Sequence, residues 1–268
     1  MTKLLSKFKL IIIPLTLIIL ISSCSKFQKA LKSKDYGFKL EKAIEYYQKE
    51  DYYRAEALFS DVIPVYRGTD KARDIMFMYA YCHYYLGDNF IAVHYFKNFS
   101  KTWSNDPRTP EADFMVARCL YDESPRYNLD QSSSIKAIEA FQYYITMYPT
   151  SERVDEATKF QENLKKRLDK KSYSDSKLYS QLRQNKAAVI SLKNSLKDFP
   201  DSDYREDIMF LILKSSYMLA KNSNEDVKKE RFQETINEYY AYIDEFAGSS
   251  RAKEAERIYA LCIKELQK

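Results

Sequence analysis

Apolar residues along most of this chain recur three or four positions apart, the spacing of amphipathic helices. The clearest stretch covers residues 76–104, where one apolar set is interrupted at Leu86-Gly87-Asp88 and a second follows. Glycine followed by aspartate indicates a tight turn. The pattern therefore predicts a helical hairpin in which the small residues Ala80 and Ala92 mark the closest approach of the two helices. The side chains expected to fill the space on either side are Tyr84, Phe96 and Phe99.

This hairpin pattern recurs along the chain. The predicted second helices end at an aromatic residue, and these ends are separated by 37, 45, 51 and 47 residues: Tyr66, Trp103, Tyr148, Phe199 and Phe246. The spacing is longer and less regular than the about 34 residues of a tetratricopeptide repeat. Strand signals, such as alternating Val, Ile and Thr with hairpin dipeptides, are missing. We therefore predict an all-α fold, a tetratricopeptide-repeat α-solenoid of about five helical hairpins over residues 36–268.

Three further features refine this architecture. Predicted turns at Glu50-Asp51 and Asn185-Lys186 match the one at Gly87-Asp88, and the third hairpin carries an inserted loop at residues 123–133. Such loops often make contacts, although a tolerated surface insertion explains this one equally well. Residues 151–183 contain neither Gly nor Pro and form either one long helix, capped near Ser151, or two helices with a break near residues 170–174. A single last helix, Arg251 to Leu266, is expected to cap the array.

The amino terminus has a different character. Three lysines precede the apolar run LIIIPLTLIILI, which is followed by Ser22, Ser23 and Cys24. A basic segment before a 12-residue apolar run predicts a signal peptide over residues 1–23. Ile21-Ser22-Ser23-Cys24 resembles a bacterial lipoprotein box, which implies a lipid on Cys24, a lipidated tether over residues 24–35, and, because Ser25 follows the cysteine, the outer membrane. An ordinary signal peptide with a chance cysteine is the alternative.

Charge and composition narrow the functional classes. Without residues 1–23 the chain has 40 basic and 38 acidic residues, a net charge of +2, which argues against nucleic acid as a partner. The basic stretch from Lys26 to Lys34 is either a solvated linker or a segment lying against lipid head groups. The 24 Tyr and 15 Phe suit a thin helical array, because a tyrosine ring can pack while its hydroxyl stays in water. Tyrosines can also form a glycan or peptide platform.

No motif for catalysis or metal binding is present in the sequence. The four glycines, at positions 37, 68, 87 and 248, are too far apart for a phosphate-binding loop. His83 and His94 lack the spacing of metal ligands, so packing is expected for both. Three cysteines occupy one phase of their helices and are interpreted as buried fillers, with a bridge between the first two left open: Cys82, Cys119 and Cys262. We expect no enzyme, no cofactor besides the lipid, and no metal.

Four segments carry a resemblance to a known family: YYQKEDYYRAEALF, YYLGDNFIAVHYFKNF, SPRYNLDQSSSIKAIEAFQYYITMYPTSERVDEA and LKDFPDSDYREDIMFLILKSSY. Together with Cys24 they resemble the BamD family, lipoproteins of the outer-membrane β-barrel assembly machinery, in a form typical of Bacteroidetes-like bacteria. The chain departs from the family by lacking proline after two helix ends, at Arg67 and Ser104. The resemblance implies a periplasm-facing solenoid that binds the periplasmic domains of a BamA-like barrel protein, other members of the assembly complex, and unfolded outer-membrane protein precursors.

The resemblance also implies a polarity, with precursors bound at amino-terminal repeats and the BamA-like protein at carboxy-terminal ones. For precursors we predict a peptide groove on the inner side of the second hairpin, at Phe77, Tyr81 and Tyr84. For the partner protein we predict an exposed basic row at Lys186, Lys193 and Lys197. The alternative from another class is a glycan- or peptidoglycan-binding repeat lipoprotein, suggested by the excess of aromatic residues.

Overall fold

The computed structural model describes residues 26–268. In this part of the chain all regular structure is helical and no strand occurs. The predicted fold class is therefore confirmed: the protein is an all-α, tetratricopeptide-like repeat. The signal peptide and Cys24 lie outside the described residues. Between residues 26 and 268, no helix combines the length and the apolar character that crossing a membrane requires.

The described helices follow the predicted hairpins closely. A short helix, α1, covers residues 26–31. The others are α2 (Tyr36–Gln48), α3 (Tyr52–Tyr66), α4 (Lys71–Leu86), α5 (Asn89–Thr102), α6 (Thr109–Asp122), α7 (Ser132–Met147), α8 (Val154–Gln181), α9 (Asn185–Asp198), α10 (Arg205–Lys221), α11 (Glu225–Phe246) and α12 (Ala252–Leu266). Helices α2 to α7 form three hairpins, α8 pairs with α9, α10 pairs with α11, and α12 follows singly.

The hairpin turns share one backbone conformation. Glu50, Gly87 and Arg183 each have a positive φ, of 59°, 83° and 57°. Each is followed by one residue and then by the next helix, so the turn occupies the same place in three hairpins. Only Gly87 adopts this left-handed conformation without steric cost. In the fourth hairpin the turn therefore lies at Arg183-Gln184, two residues before the predicted Asn185-Lys186.

Residues 151–183 contain one long helix, which settles the alternative that the sequence left open. Helix α8 runs without interruption from Val154 to Gln181, with Asp155 and Glu156 in its first turn. It starts three residues after the predicted cap, although the Ser151 hydroxyl does accept a hydrogen bond from the Arg153 backbone N–H, at 3.3 Å. The alternative with a break near residues 170–174 is therefore wrong, and within that stretch the Ser172 hydroxyl donates to that of Ser195 on α9, at 2.9 Å.

By its internal contacts the chain divides into two compact units. Unit 1 contains the described residues up to Ser124 together with Ser133–Phe160, and unit 2 contains Pro125–Ser132 together with Gln161–Lys268. In unit 1, Ala80 and Ala92 are fully buried, as predicted for the contact between α4 and α5. The core of unit 2 lies among α9 to α12 and includes Phe232, Tyr242 and Ile258.

Tyrosine hydroxyls connect helices within each unit instead of staying in water. In unit 1, Tyr79 donates to Glu56 at 3.1 Å and Tyr148 donates to Asp113 at 2.7 Å. Further pairs of this kind are Tyr81 with Glu111, Tyr173 with Asp207, and Tyr242 with Glu206. The expectation of solvated hydroxyls thus fails for these tyrosines, because a carboxylate of another helix lies within reach of each phenol.

Candidate interaction surfaces

The predicted lipidation site Cys24 lies outside the described residues, but the chain is fixed to the fold only three residues later. The Phe27 side chain is 9% exposed, and its ring meets that of Tyr46 edge to face at 5.9 Å between centroids. The Arg54 guanidinium lies 5.8 Å from the Phe27 ring centroid. The stretch predicted as a tether over residues 24–35 thus contains a packed helix, because Phe27 and Ala30 enter the core of the first hairpin.

The residues predicted to line a peptide groove belong to an aromatic cluster on α4. Phe77 and Tyr81 are each only 9% exposed, whereas Tyr84 is half-buried. The Phe77 ring lies 4.9 Å from that of Phe99, and the Tyr81 ring 5.0 Å from that of Phe96. The structure therefore brings the predicted residues together, but most of the surface of Phe77 and Tyr81 is already used in packing.

The Tyr81 hydroxyl has a half-buried partner on the next hairpin. It donates a hydrogen bond to the Glu111 carboxylate on α6. Burial first, and then this hydrogen bond to Glu111, raise the pKa of Tyr81 far above its usual value of 10. Tyr81 therefore stays neutral at any physiological pH and links the second hairpin to the third.

Beside this cluster the structure exposes a ring that the sequence analysis did not select. Tyr85 is 52% exposed and stacks on Tyr52 of the first hairpin, with 4.3 Å between centroids and 18° between planes. Its other neighbours are Tyr81, at 5.9 Å, and Tyr84, at 5.3 Å. The accessible aromatic surface next to the predicted groove is thus that of Tyr84 and Tyr85. The signal available in the sequence was that four of the five residues from Tyr81 to Tyr85 are aromatic or His.

An ionic network covers the far end of the aromatic cluster. The Arg108 guanidinium lies 5.0 Å from the Phe77 ring centroid and donates from Nε to Asp106 at 2.9 Å. Arg73 also contacts Asp106, at 3.1 Å. The hydrogen bonds from Arg108, reinforced by the charge of Arg73, lower the pKa of Asp106 to about 2. The Asp106 side chain is 2% exposed, so the network closes this end of the cluster instead of offering it to a ligand.

Unit 1 contains two open cavities apart from the aromatic cluster. One, of about 540 Å³, lies at the turn between α3 and α4 and includes Tyr66, Arg67 and Trp103. The other, of about 570 Å³, lies between α5 and α7, and its charged lining residues are of both signs, with lysines such as Lys97 beside Asp113 and Glu139. Both are surface depressions between helices, and the buried Thr109 in the second already donates its hydroxyl to the Trp103 carbonyl, at 2.7 Å.

His83 is buried in unit 1, in agreement with its predicted packing role. Its ring is parallel to that of Tyr95 at 5.8 Å and meets Tyr79 edge to face at 4.6 Å. Its nitrogens make no hydrogen bond to the described residues; the nearest carboxylate oxygens are 3.5 Å away on Asp88 and 3.9 Å away on Glu56. His94 is exposed and hydrogen-bonded to Asn98 at 2.9 Å.

The described residues contain neither a metal-binding cluster nor a reactive thiol. No group of three or more His, Cys, Asp or Glu within residues 26–268 has the arrangement to hold a metal ion. The three cysteines are reduced and fully buried, as expected for fillers, and burial is the main reason why their thiol pKa values rise to about 12, 12 and 11: Cys82, Cys119 and Cys262.

The predicted basic row lies on the exposed side of α9 in unit 2. Lys186, Lys193 and Lys197 are all exposed. Lys193 forms an ion pair with Glu238 on α11, with 2.5 Å between Nζ and Oε1. For the other two lysines, no carboxylate lies within ion-pair distance in the part of the chain that the structure describes. Ile190, between them on the same helix, is 53% exposed.

Most of these hairpins match the model of a known protein family. The family model of YfiO, described as an outer membrane lipoprotein, matches residues 39–232. This is well over half of the chain. The protein belongs to the YfiO family. No curated protein matches the chain.

The YfiO match confirms the BamD-like family to which the sequence was expected to belong. It supports an outer membrane lipoprotein with a general role in outer-membrane assembly, in a family of scaffold proteins. The match runs from Lys39 on α2 into α11, and so it includes the aromatic cluster and the basic row. Helix α12 and the predicted anchor Cys24 lie beyond it.

Proposed function

We propose that this YfiO-family protein is a lipid-anchored scaffold on the periplasmic face of the outer membrane. It binds the periplasmic domains of a BamA-like barrel protein, within an assembly complex, and it holds unfolded outer-membrane protein precursors for insertion. The role requires no catalysis and no cofactor besides the covalent lipid on Cys24. The observation that carries the proposal is the family match across the hairpins, and the exposed groups on two of those hairpins supply surfaces of suitable chemistry.

Membrane attachment is tested at Cys24. The Cys24→Ala variant should remain folded but leave the membrane fraction, and labelling of cells with a radioactive fatty acid should mark only the unchanged protein. More than one acyl chain is needed for stable anchoring, so loss of the cysteine should release the protein completely. Equal membrane retention of the variant would show that Cys24 is not the anchor.

The ion pair of Lys193 with Glu238 makes Lys193 unsuitable for testing the predicted partner surface. Because Lys193 already neutralises Glu238, its reversal to Glu places two carboxylates together and costs stability as well as any partner contact. Lys186 and Lys197 have no such internal role. Electrostatic attraction from these two lysines would increase the association rate with an acidic surface and would weaken with salt.

The test is therefore the double variant Lys186→Glu/Lys197→Glu. It should keep the wild-type melting temperature but bind purified periplasmic domains of the BamA-like protein more weakly, with a smaller loss of affinity between low and high salt than the wild type shows. A matched control is Lys221→Glu/Lys229→Glu, which reverses two exposed lysines elsewhere in unit 2. If both double variants bind like the wild type, the basic row is not the partner surface.

The precursor surface is tested at Tyr84 and Tyr85. Substitutions at Phe77 and Tyr81 would disturb packing, so their effect on binding cannot be separated from their effect on folding. Tyr84→Ser/Tyr85→Ser should leave the helical content unchanged and weaken the binding of an extended peptide from a barrel precursor. Binding of the BamA-like domains should be unaffected. The opposite result, loss of the BamA-like domains with normal peptide binding, would contradict the proposed polarity.

The glycan-binding alternative receives less support from the geometry. Sugars stack on the free faces of aromatic rings, yet the exposed Tyr85 already has one face covered by the half-buried Tyr52, at 4.3 Å. The half-buried rings of Tyr239 and Tyr259 likewise stack on each other, at 4.6 Å. Copurification from detergent-solubilised outer membranes, followed by identification of the retained proteins, distinguishes a barrel-assembly scaffold from a glycan binder.

A further inference from the structure

We propose that the turn end of the first two hairpins forms a membrane-docking surface, which seats unit 1 on the phospholipid bilayer beside the lipid anchor. The inference extends the proposed function and rests on its lipid on Cys24. The surface consists of the exposed residues Tyr53, Leu86 and Phe90 with the basic residues Lys26 and Lys29, and we call it the tip surface.

The two turns that form the tip surface lie next to each other. Tyr52 and Tyr85 belong to successive hairpins, and their stacked rings, 4.3 Å apart, join the beginning of α3 to the end of α4. Tyr53 and Phe90 are each the second residue of their helix, directly after these turns. They therefore lie at the same end of unit 1.

The tip surface is unusually apolar for a solvated turn. Tyr53 is 70% exposed and Phe90 is 67% exposed, the two highest values among the large hydrophobic residues of the described chain. Leu86 is 39% exposed and Ile91 is 44% exposed. Isolated exposed apolar residues are common, but two aromatic rings at adjacent turns together with aliphatic neighbours form a patch typical of an interaction site.

The beginning of the described chain lies at this same end. Phe27 packs on Tyr46 and Arg54, and these two residues flank the first hairpin turn: the Asp51 N–H donates to the Tyr46 carbonyl at 2.9 Å, and the Asp51 carboxylate accepts from the Arg54 N–H at 3.3 Å. Phe27 is only three positions after Cys24, and three extended residues span at most about 10 Å. A lipid on Cys24 therefore holds the tip surface close to the membrane.

The two turns themselves carry the exposed acidic residues Glu50 and Asp88, and the basic charge beside the tip surface comes from α1. On α1, Phe27 and Ala30 are buried whereas Lys26 and Lys29 are exposed, and Lys32 follows directly. These lysines form no ion pair with any residue in the described range. Basic side chains beside exposed aromatic rings match the membrane interface, where aromatic residues lie at the level of the head groups and lysines approach lipid phosphates.

The test compares the depth of two tryptophans in the lipidated protein, purified in detergent and reconstituted into phosphatidylethanolamine and phosphatidylglycerol vesicles. In one variant Phe90→Trp reports on the tip surface. In the matched control Met147→Trp reports on another exposed apolar position, 54% accessible, at the last residue of α7. Both carry Trp103→Phe to remove the native indole, and brominated lipids serve as the quencher.

The expected result is that Phe90→Trp loses emission in brominated vesicles and Met147→Trp does not. Repeating the measurement with Trp103 retained in both variants removes any effect of that substitution on folding, since the native indole then contributes equally. Vesicle-bound protein with equal quenching of both variants would overturn the docking proposal alone. Protein that fails to float with the vesicles would overturn the lipid anchor and, with it, the docking that depends on it.

Discussion

The hydrogen bond between Tyr81 and Glu111 allows a quantitative test of how adjacent hairpins are held together. Tyr81→Phe removes only the hydroxyl and leaves the ring contact with Phe96 in place. A buried hydrogen bond to an ionised group contributes about 1.5 to 3 kcal/mol. We therefore expect the variant to lose about 2 kcal/mol of its free energy of unfolding at pH 7.

The pH dependence makes the test stronger, because the loss should disappear in alkali. The pKa of Tyr81 is raised in the folded state, so its stabilising effect is present below the unfolded pKa of about 10 and is lost as the pH rises above it. Above pH 10 the unfolded wild type releases a proton that the folded protein keeps. Each further pH unit then lowers its free energy of unfolding by about 1.4 kcal/mol. Since Phe cannot ionise, the two proteins should become equally stable near pH ~11.5.

The assay is urea denaturation followed by circular dichroism between pH 7 and about pH 12, in the mature chain carrying Cys24→Ala so that no detergent is needed. The control is Tyr53→Phe, which removes a hydroxyl from a ring that is 70% exposed and should leave the free energy of unfolding unchanged. If the stability difference between Tyr81→Phe and the wild type stayed constant from pH 9 to pH 11, Tyr81 would not be the group that keeps its proton.

Three further predictions concern other parts of the fold. Ala92→Trp, at the fully buried contact of α4 and α5, should destabilise the protein by about 1 to 3 kcal/mol in urea denaturation. The control Ala241→Trp, at an exposed site of α11, should not change the stability. If the two variants were equally stable, Ala92 would not lie in that contact. Between pH 4 and pH 2 the wild type should lose more stability than Asp106→Asn. The pKa of Asp106 is lowered from its usual value of 3.8 to about 2 in the folded state, so the stability that the carboxylate contributes is lost as the pH falls through this range. Identical acid denaturation curves of the two proteins would contradict this prediction. In the Cys24→Ala chain, Ellman's reagent at pH 8 should react only slowly with the native protein, but it should titrate three thiols once the protein is unfolded. A rapidly reacting thiol in the native protein would contradict the burial of Cys82, Cys119 and Cys262.

The sequence predicted the helices well wherever an apolar period was bounded by a turn residue. Leu86-Gly87-Asp88 interrupts the apolar period and contains a glycine, and the turn lies there in the structure. At the fourth hairpin the same backbone conformation is adopted by Arg183, which carries no recognisable turn signal, so the prediction was displaced to Asn185-Lys186. The sequence also left open a break in α8, because its serines suggest a loop when their hydrogen-bond partners on α9 are unknown.

The interaction surfaces were harder to predict because α4 is apolar on several sides. Buried residues such as Ile75, Phe77, Tyr79 and Tyr81 lie around much of its circumference, since the helix packs between its neighbours. Helical spacing then cannot distinguish a residue that faces a groove from one that faces another helix. On α9, by contrast, only Ala188, Leu192 and Ser195 are buried, and the three predicted lysines are exposed.

The common left-handed turn has a consequence for engineering this repeat. Glu50, Gly87 and Arg183 share one backbone conformation, so the side chain at this turn position varies while the φ angle stays positive. A non-glycine residue in this conformation costs roughly 1 kcal/mol, so replacing Glu50 or Arg183 with glycine should stabilise the protein by about that amount. The amino acid at this position therefore contributes to the stability of its hairpin, and designers of shortened or extended arrays can adjust each hairpin separately through that single residue.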